Sequence, residues 1–128
     1  MFRPTSAYSA FSVDDIDAAV AFYAGTLGLE VRVLVPGQMV QLLLPGSNVP
    51  VLVYGKPDHV PATFTVLNLV VEDIDTALDD LAELGVVPTD GGEWADERRV
   101  LRGRARDMGP DIAWFADPAG NVFSVQQP

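Results

Sequence analysis

Two stretches decide the fold because one repeats the other: Ser12–Val31, SVDDIDAAVAFYAGTLGLEV, and Val70–Thr89, VVEDIDTALDDLAELGVVPT. Val13, Asp15, Ile16, Asp17 and Ala19 of the first recur as Val71, Asp73, Ile74, Asp75 and Ala77 of the second. In the first stretch Ile16, Ala19, Val20, Tyr23 and Leu27 fall on one helical face; in the second Ile74, Ala77, Leu78, Leu81 and Leu84 do so. Asp15 and Asp73 stand where an N-cap side chain accepts from exposed backbone N–H groups, and Asp17 and Asp75 add negative charge at the positive helix end. Gly28 and Gly85 stand where a C-cap needs a left-handed residue. These placements make the acids caps rather than a catalytic carboxylate cluster.

Working outward, each helix follows a run that alternates at period two, SAYSAFSV before the first and ATFTVLNLVV before the second, which predicts a strand. Further strands are expected at Val31–Val35, Val40–Leu44 and Val51–Tyr54, divided by Pro36-Gly37 and Pro45-Gly46. In the second half they are expected at Val86–Thr89, around Val100–Arg102, at Ile112–Ala116 and at Val122–Gln126. The fold class read from this pattern is α+β: two βαβββ modules in tandem, of about 5–57 and about 61–128, joined by a linker near GKPDHVPA. Two copies at a period of roughly 58 residues point to a duplicated module, not a solenoid.

A chain of 128 residues is expected to form one domain spanning 1–128 and to bury a core without staples. It has no cysteine, which excludes disulfides, thiolate metal sites and a cysteine nucleophile. No apolar run approaches the roughly 18–20 residues of a membrane span, so a cytoplasmic location is expected and no membrane partner. The formal charge of −10 argues against nucleic acid, whose phosphates need clustered Lys and Arg. One local exception is ERRVLRGRARD, where Arg98, Arg99, Arg102, Arg104 and Arg106 account for five of the eight basic residues. That cluster is either an anion-binding rim or, as such clusters usually are, a solvated loop whose arginines pair with Asp96, Glu97 and Asp107.

The chain closes on FADPAGNVFSVQQP, a turn over Asp117–Asn121 and then a strand. Together with VDDIDAAVAFYAGTLGLEV, this ending resembles the vicinal oxygen chelate superfamily, which includes glyoxalase I, extradiol dioxygenases, fosfomycin-modifying enzymes and bleomycin-resistance proteins. The resemblance implies that the modules curl into an incompletely closed eight-stranded sheet around a cavity. It also implies a homodimer, sometimes with half-barrels exchanged between chains. The family's enzymes hold a divalent metal through the first and last strand of each module.

Carried onto this sequence, the family's metal positions fall on Tyr8 and Val66, seven residues before Asp15 and Asp73, and on Ser124, where a glutamate is usual. From Val31 through Gly55, which holds the remaining position, there is no His, Asp or Glu. The one histidine, His59, lies in the linker and is expected to be a solvated side chain. The expectation is therefore no metal and no cofactor, and a pocket for a small organic ligand lined by Tyr8, Ala10, Ser12, Val66, Asn68, Ser124 and Gln126. Gln41 is a further wall residue if strand parity turns it inward. Trp94 and Trp114 are stacking surfaces, in the manner of the family's drug-binding members, or else loop cover and core. The acidic composition is compatible with attraction of cationic drugs or metabolites. Two other readings stay open: a metal-free lyase or isomerase using Tyr8 as an acid, and a metal enzyme whose ligands lie elsewhere.

Overall fold

A computed structural model describes residues 1–128. The chain divides into two compact units, Met1–Val60 and Pro61–Pro128, with the boundary inside the Pro-flanked linker. Each unit carries one α-helix and its own four-stranded mixed sheet, the α+β tandem repeat that the sequence predicts.

In the first unit the strands are β1 (Ala10–Val13), β2 (Glu30–Val35), β3 (Met39–Leu43) and β4 (Val51–Gly55), in the order β1-β4-β3-β2. β1 runs parallel to β4 and the other pairs are antiparallel. Alternation sends Phe11, Val13, Val40, Leu42 and Val53 to one face, where they are buried with Ile16, Ala19 and Tyr23 of the helix. Tyr23 meets Phe11 edge-on at 6.0 Å. Fully burying an apolar side chain of this size contributes about 1.5–3 kcal/mol, so this face holds the unit together.

The helical segment opens as α1 (Ile16–Val20), with the Asp15 carboxylate accepting from the Ala18 N–H at 3.1 Å. It does not continue as α-helix. Ala21–Thr26 winds as a π-helix, in which the Leu27 N–H reaches back to the Phe22 carbonyl at 2.9 Å. The repeat gives the reason: thirteen positions separate Asp15 from Gly28, but twelve separate Asp73 from Gly85. The wider π turn takes up the extra residue while cap and exit glycine keep their roles. Both glycines are left-handed, at φ 73° and 79°.

The second unit holds β5 (Thr65–Val70), α2 (Ile74–Glu83), β6 (Leu101–Arg102), β7 (Asp111–Ala116) and β8 (Val122–Gln127), with sheet order β5-β8-β7-β6. Here β5 and β8 are the parallel pair. Leu67, Ala113, Phe115, Phe123 and Val125 are buried with Ile74 and Leu78 of α2. Asp73 caps α2 at the Thr76 N–H (3.0 Å), and Gln127 Oε1 accepts from the Ile74 N–H at 3.1 Å.

The strand expected at Val86–Thr89 does not form. Pro88 lacks the N–H a ladder needs, and only Thr89 reaches the sheet, donating its N–H to the Trp114 carbonyl at 2.8 Å. The short β6 takes the edge position instead. The closing turn forms as read: Asp117 Oδ1 accepts from the N–H groups of Ala119 (3.0 Å) and Asn121 (2.8 Å), with Gly120 at φ 82°. Asn121 Oδ1 in turn accepts from the Ala62 N–H, tying the turn to the start of the unit.

Candidate functional site

In the second unit, the sheet face opposite the buried aromatics carries a polar row. β8 pairs with β5 on one side and β7 on the other, so Asn68, Ser124 and Trp114 stand side by side across three strands. Gln126 follows two positions along β8, level with Val70 and Ile112. Ser124 is fully buried, Gln126 and Trp114 are half-buried, and Asn68 is exposed. The three polar side chains close on one another: the Ser124 hydroxyl donates to Asn68 Oδ1 at 2.6 Å. Gln126 Nε2 donates to Asn68 Oδ1 at 2.9 Å and to Ser124 Oγ at 3.2 Å. Val66 precedes this row, half-buried, where the β5 register slips between Thr65 and Leu67.

The first unit has its own face opposite the helix. Ala10, Leu52, Gln41 and Arg32 form one row across β1, β4, β3 and β2; Ser12, Tyr54 and Met39 form the next. Arg32 Nη1 stands 3.5 Å from Gln41 Oε1, at the outer limit of a hydrogen bond. At the end of this face a groove of about 670 Å³ is lined by Asp14, Gln38, Met39, Leu52, Tyr54 and Lys56, among others. Tyr8 lies outside β1, largely exposed, in a separate groove of about 370 Å³ against Leu44, Ser47 and Val49. The strand starts later than the alternating run, because only from Ser9 onward does the backbone find partners on β4.

His59 corrects an expectation. It is a half-buried side chain whose Nδ1 lies 2.7 Å from Ser12 Oγ, fastening the linker to β1. No sequence signal links two residues 47 positions apart.

The arginine loop also differs from its reading in detail. Arg98 binds Asp75 at 3.0 Å and Asp79 at 2.6 Å, both on α2. Arg102 bridges Asp75 and Asp96, at 2.8 Å each. Arg99 donates to the Pro88 carbonyl, and Arg106 lies 5.2 Å over the Trp94 ring. Of the expected neighbours only Asp96 takes part; Glu97 and Asp107 form no ion pair. The Arg102 hydrogen bond, joined by the charges of Arg102 and Arg98, holds the Asp75 carboxyl below the usual carboxylate range. Burial pushes Asp96 the other way, yet hydrogen bonds from Arg102 and the Val100 and Arg98 N–H groups bring it down as well. Arg102 is raised, by Asp75 first and then Asp96. Guanidiniums so engaged make a clasp between loop and helix, which leaves little for an anionic ligand. Trp94 sits on this loop, 64% exposed, in an element apart from the polar row.

With these arrangements in view, the family model for the Glyoxalase/Bleomycin resistance protein/Dioxygenase superfamily matches residues 6–125. The chain belongs to this superfamily. Among solved structures, it is similar to a superfamily member from Sphaerobacter thermophilus, at 26% identity over 96% of this chain and 98% of that one, TM-score 0.66. TnmS3, an antibiotic binding protein from Streptomyces sp. CB03234, is 25% identical over 99% of both chains, TM-score 0.66. A lactoylglutathione lyase from Agrobacterium tumefaciens shares the fold at 22% identity, covering 97% of this chain and 94% of that one, TM-score 0.67. No curated protein matches the chain. No helix is long and apolar enough to cross a membrane.

The superfamily's enzymes hold a divalent metal, and the residues that the resemblance puts at its positions do not fit one. Tyr8 and Val66 supply a phenol and a hydrocarbon, and the Ser124 hydroxyl is already committed to Asn68. A catalytic divalent site needs imidazole or carboxylate donors converging on one point. No group of three or more His, Cys, Asp or Glu side chains suited to an ion forms in either unit.

Proposed function

We propose that this protein is a metal-free small-molecule-binding member of the superfamily, similar to bleomycin-resistance proteins, whose partner is a small organic ligand. One observation carries the reading: where the family places a metal-binding glutamate, Ser124 is buried and locked into a neutral hydrogen-bonded row with Asn68 and Gln126. Such a surface binds by shape, apolar contact and a few oriented amides, and needs no Lewis acid. The similarity to TnmS3, an antibiotic binding protein, supports the same class. On this reading the chain is one cytoplasmic glyoxalase/bleomycin-resistance-like domain over 1–128, working as a homodimer.

The test is metal content by mass spectrometry on untagged protein, paired with melting curves in nickel, zinc, manganese and iron. A metal binding the native state alone at 100 times its dissociation constant adds about 2.7 kcal/mol, a visible shift. The expected result is no stoichiometric metal and no shift; a bound metal overturns the proposal. Turnover that disappears in Tyr8→Phe would replace binding with metal-free catalysis. Light scattering on a sizing column checks the homodimer.

A further inference from the structure

The polar row also states what kind of ligand it can read, an inference that rests on the binding function proposed above. A carbonyl oxygen accepts two hydrogen bonds and an amide nitrogen donates two. Asn68 Oδ1 takes the Ser124 hydroxyl proton and one Gln126 N–H, which fills it. Gln126 Nε2 also lies 3.2 Å from Ser124 Oγ; the two acceptors, 2.6 Å apart, lie too close together to take one N–H each, so a single N–H is shared between them. The triangle thereby spends the Ser124 proton, the Asn68 carbonyl and one N–H of Gln126 on itself. Left over are the Asn68 amino group, on an exposed side chain, and the second N–H and the carbonyl of Gln126, on a half-buried one. They offer donors and one acceptor on two neighbouring side chains, whose Asn68 Oδ1 and Gln126 Nε2 lie 2.9 Å apart. The row and its register neighbours, Trp114, Ile112 and Val70, contain no charged side chain.

We infer that this face selects neutral organic ligands presenting an adjacent donor and acceptor on one edge, as in a lactam, an imide or a primary carboxamide. The Asn68 amino group donates to the ligand carbonyl, and the ligand N–H donates to Gln126 Oε1. A cation finds only the Gln126 carbonyl and an anion only neutral N–H donors, with no opposite charge for either, so net charge gains nothing here. Overall acidity is compatible with cationic ligands, but this face by itself offers them no charge to meet. Trp114, one strand away in register with Ser124, offers an apolar ring beside the reading edge.

The experiment titrates ¹⁵N-labelled full-length protein with three probes: 1,8-naphthalimide, its N-methyl derivative, and the cation 9-aminoacridine. It follows the side-chain amide signals of Asn68 and Gln126 together with tryptophan fluorescence. The imide is expected to bind about tenfold more tightly than its N-methyl derivative, the ratio set by one hydrogen bond of ~1.4 kcal/mol. It should also displace the Asn68 amide signals. The difference should vanish in Gln126→Leu, which removes the acceptor, whereas Asn68→Asp, which removes the donor, should weaken both imides. Should either variant fail to fold, the comparison of probes on the unaltered protein still decides. Equal affinity for the two imides, or tighter binding of the acridine at these signals, overturns the donor–acceptor inference and leaves small-molecule binding standing. Binding by none of the three overturns the inference and counts against the proposed function as well.

Discussion

Replacing Ser124 by glutamate restores the residue type that the superfamily uses for a metal, and the structure predicts that it fails to restore a site. Ser124 has no exposed surface, and the residues beside it, Asn68 and Trp114, are neutral. Ser124→Gln supplies the size without the charge: it loses the 2.6 Å bond to Asn68 and overpacks the row, for about 1–3 kcal/mol. Ser124→Glu adds a carboxylate with no cation to meet it. If burial raises its pKa two pH units above the ordinary value of about 4.3, the added cost at neutral pH is ~2.7 kcal/mol. Because the folded-state pKa is raised, that cost is full above the raised value, fades as pH falls through it, and is gone below about 4. Urea midpoints from pH 4 to 8 should therefore show Ser124→Glu well below Ser124→Gln at pH 7.5 and level with it at pH 4. Zinc, nickel or manganese should shift neither midpoint, since one carboxylate without further donors does not hold a catalytic ion. A metal-induced gain in Ser124→Glu that the unaltered protein lacks would refute the argument, because it would show other donors converging there.

Arg102→Leu removes the bridge between Asp75 and Asp96 and should cost about 1–2 kcal/mol by urea denaturation at pH 7, the pairs being partly exposed and screened. Both carboxyls are depressed in the folded state, so their contribution is complete above about pH 4 and lost as pH falls through the lower folded values. The gap between variant and parent should close over that range, and also narrow in 1 M salt. Gly103→Ala drives a methyl against the carbonyl oxygens of Pro110 and Gly109 (3.0 Å to the latter), so a loss of more than about 2 kcal/mol is expected by the same assay. Asp73→Ala leaves the Thr76 N–H uncapped and should cost about 1 kcal/mol, visible as a lower melting temperature.

Most of what was legible in the sequence was local. Asp15 and Asp73 announce helix starts because a cap is a contact across three residues, and Gly28 and Gly85 announce helix ends because a left-handed turn disfavours other side chains. Asn68, Ser124 and Gln126 were grouped because alternation sets their faces and the family resemblance brings first and last strand together, and β5 and β8 do pair in that register. Contacts set by the path of the chain were hidden. His59 meets Ser12, and Arg98 chooses Asp75 and Asp79 over nearer acids, because the linker and the loop fold back onto a strand and a helix. Tyr8 and Val86–Thr89 were misjudged for a related reason: alternation marks residues fit for a strand, but a strand also needs a neighbour able to pair.

The π turn at Ala21–Thr26 bears on how freely the two halves of the molecule can drift apart in length. An inserted residue in a strand flips every later side chain to the opposite face, but here the surplus is confined to one wide coil between a fixed cap and a fixed exit. Tyr23, inside that coil, still reaches the buried position against Phe11. The helix thus acts as an expansion joint within its own module, taking up one residue while the strands on either side of it keep their register.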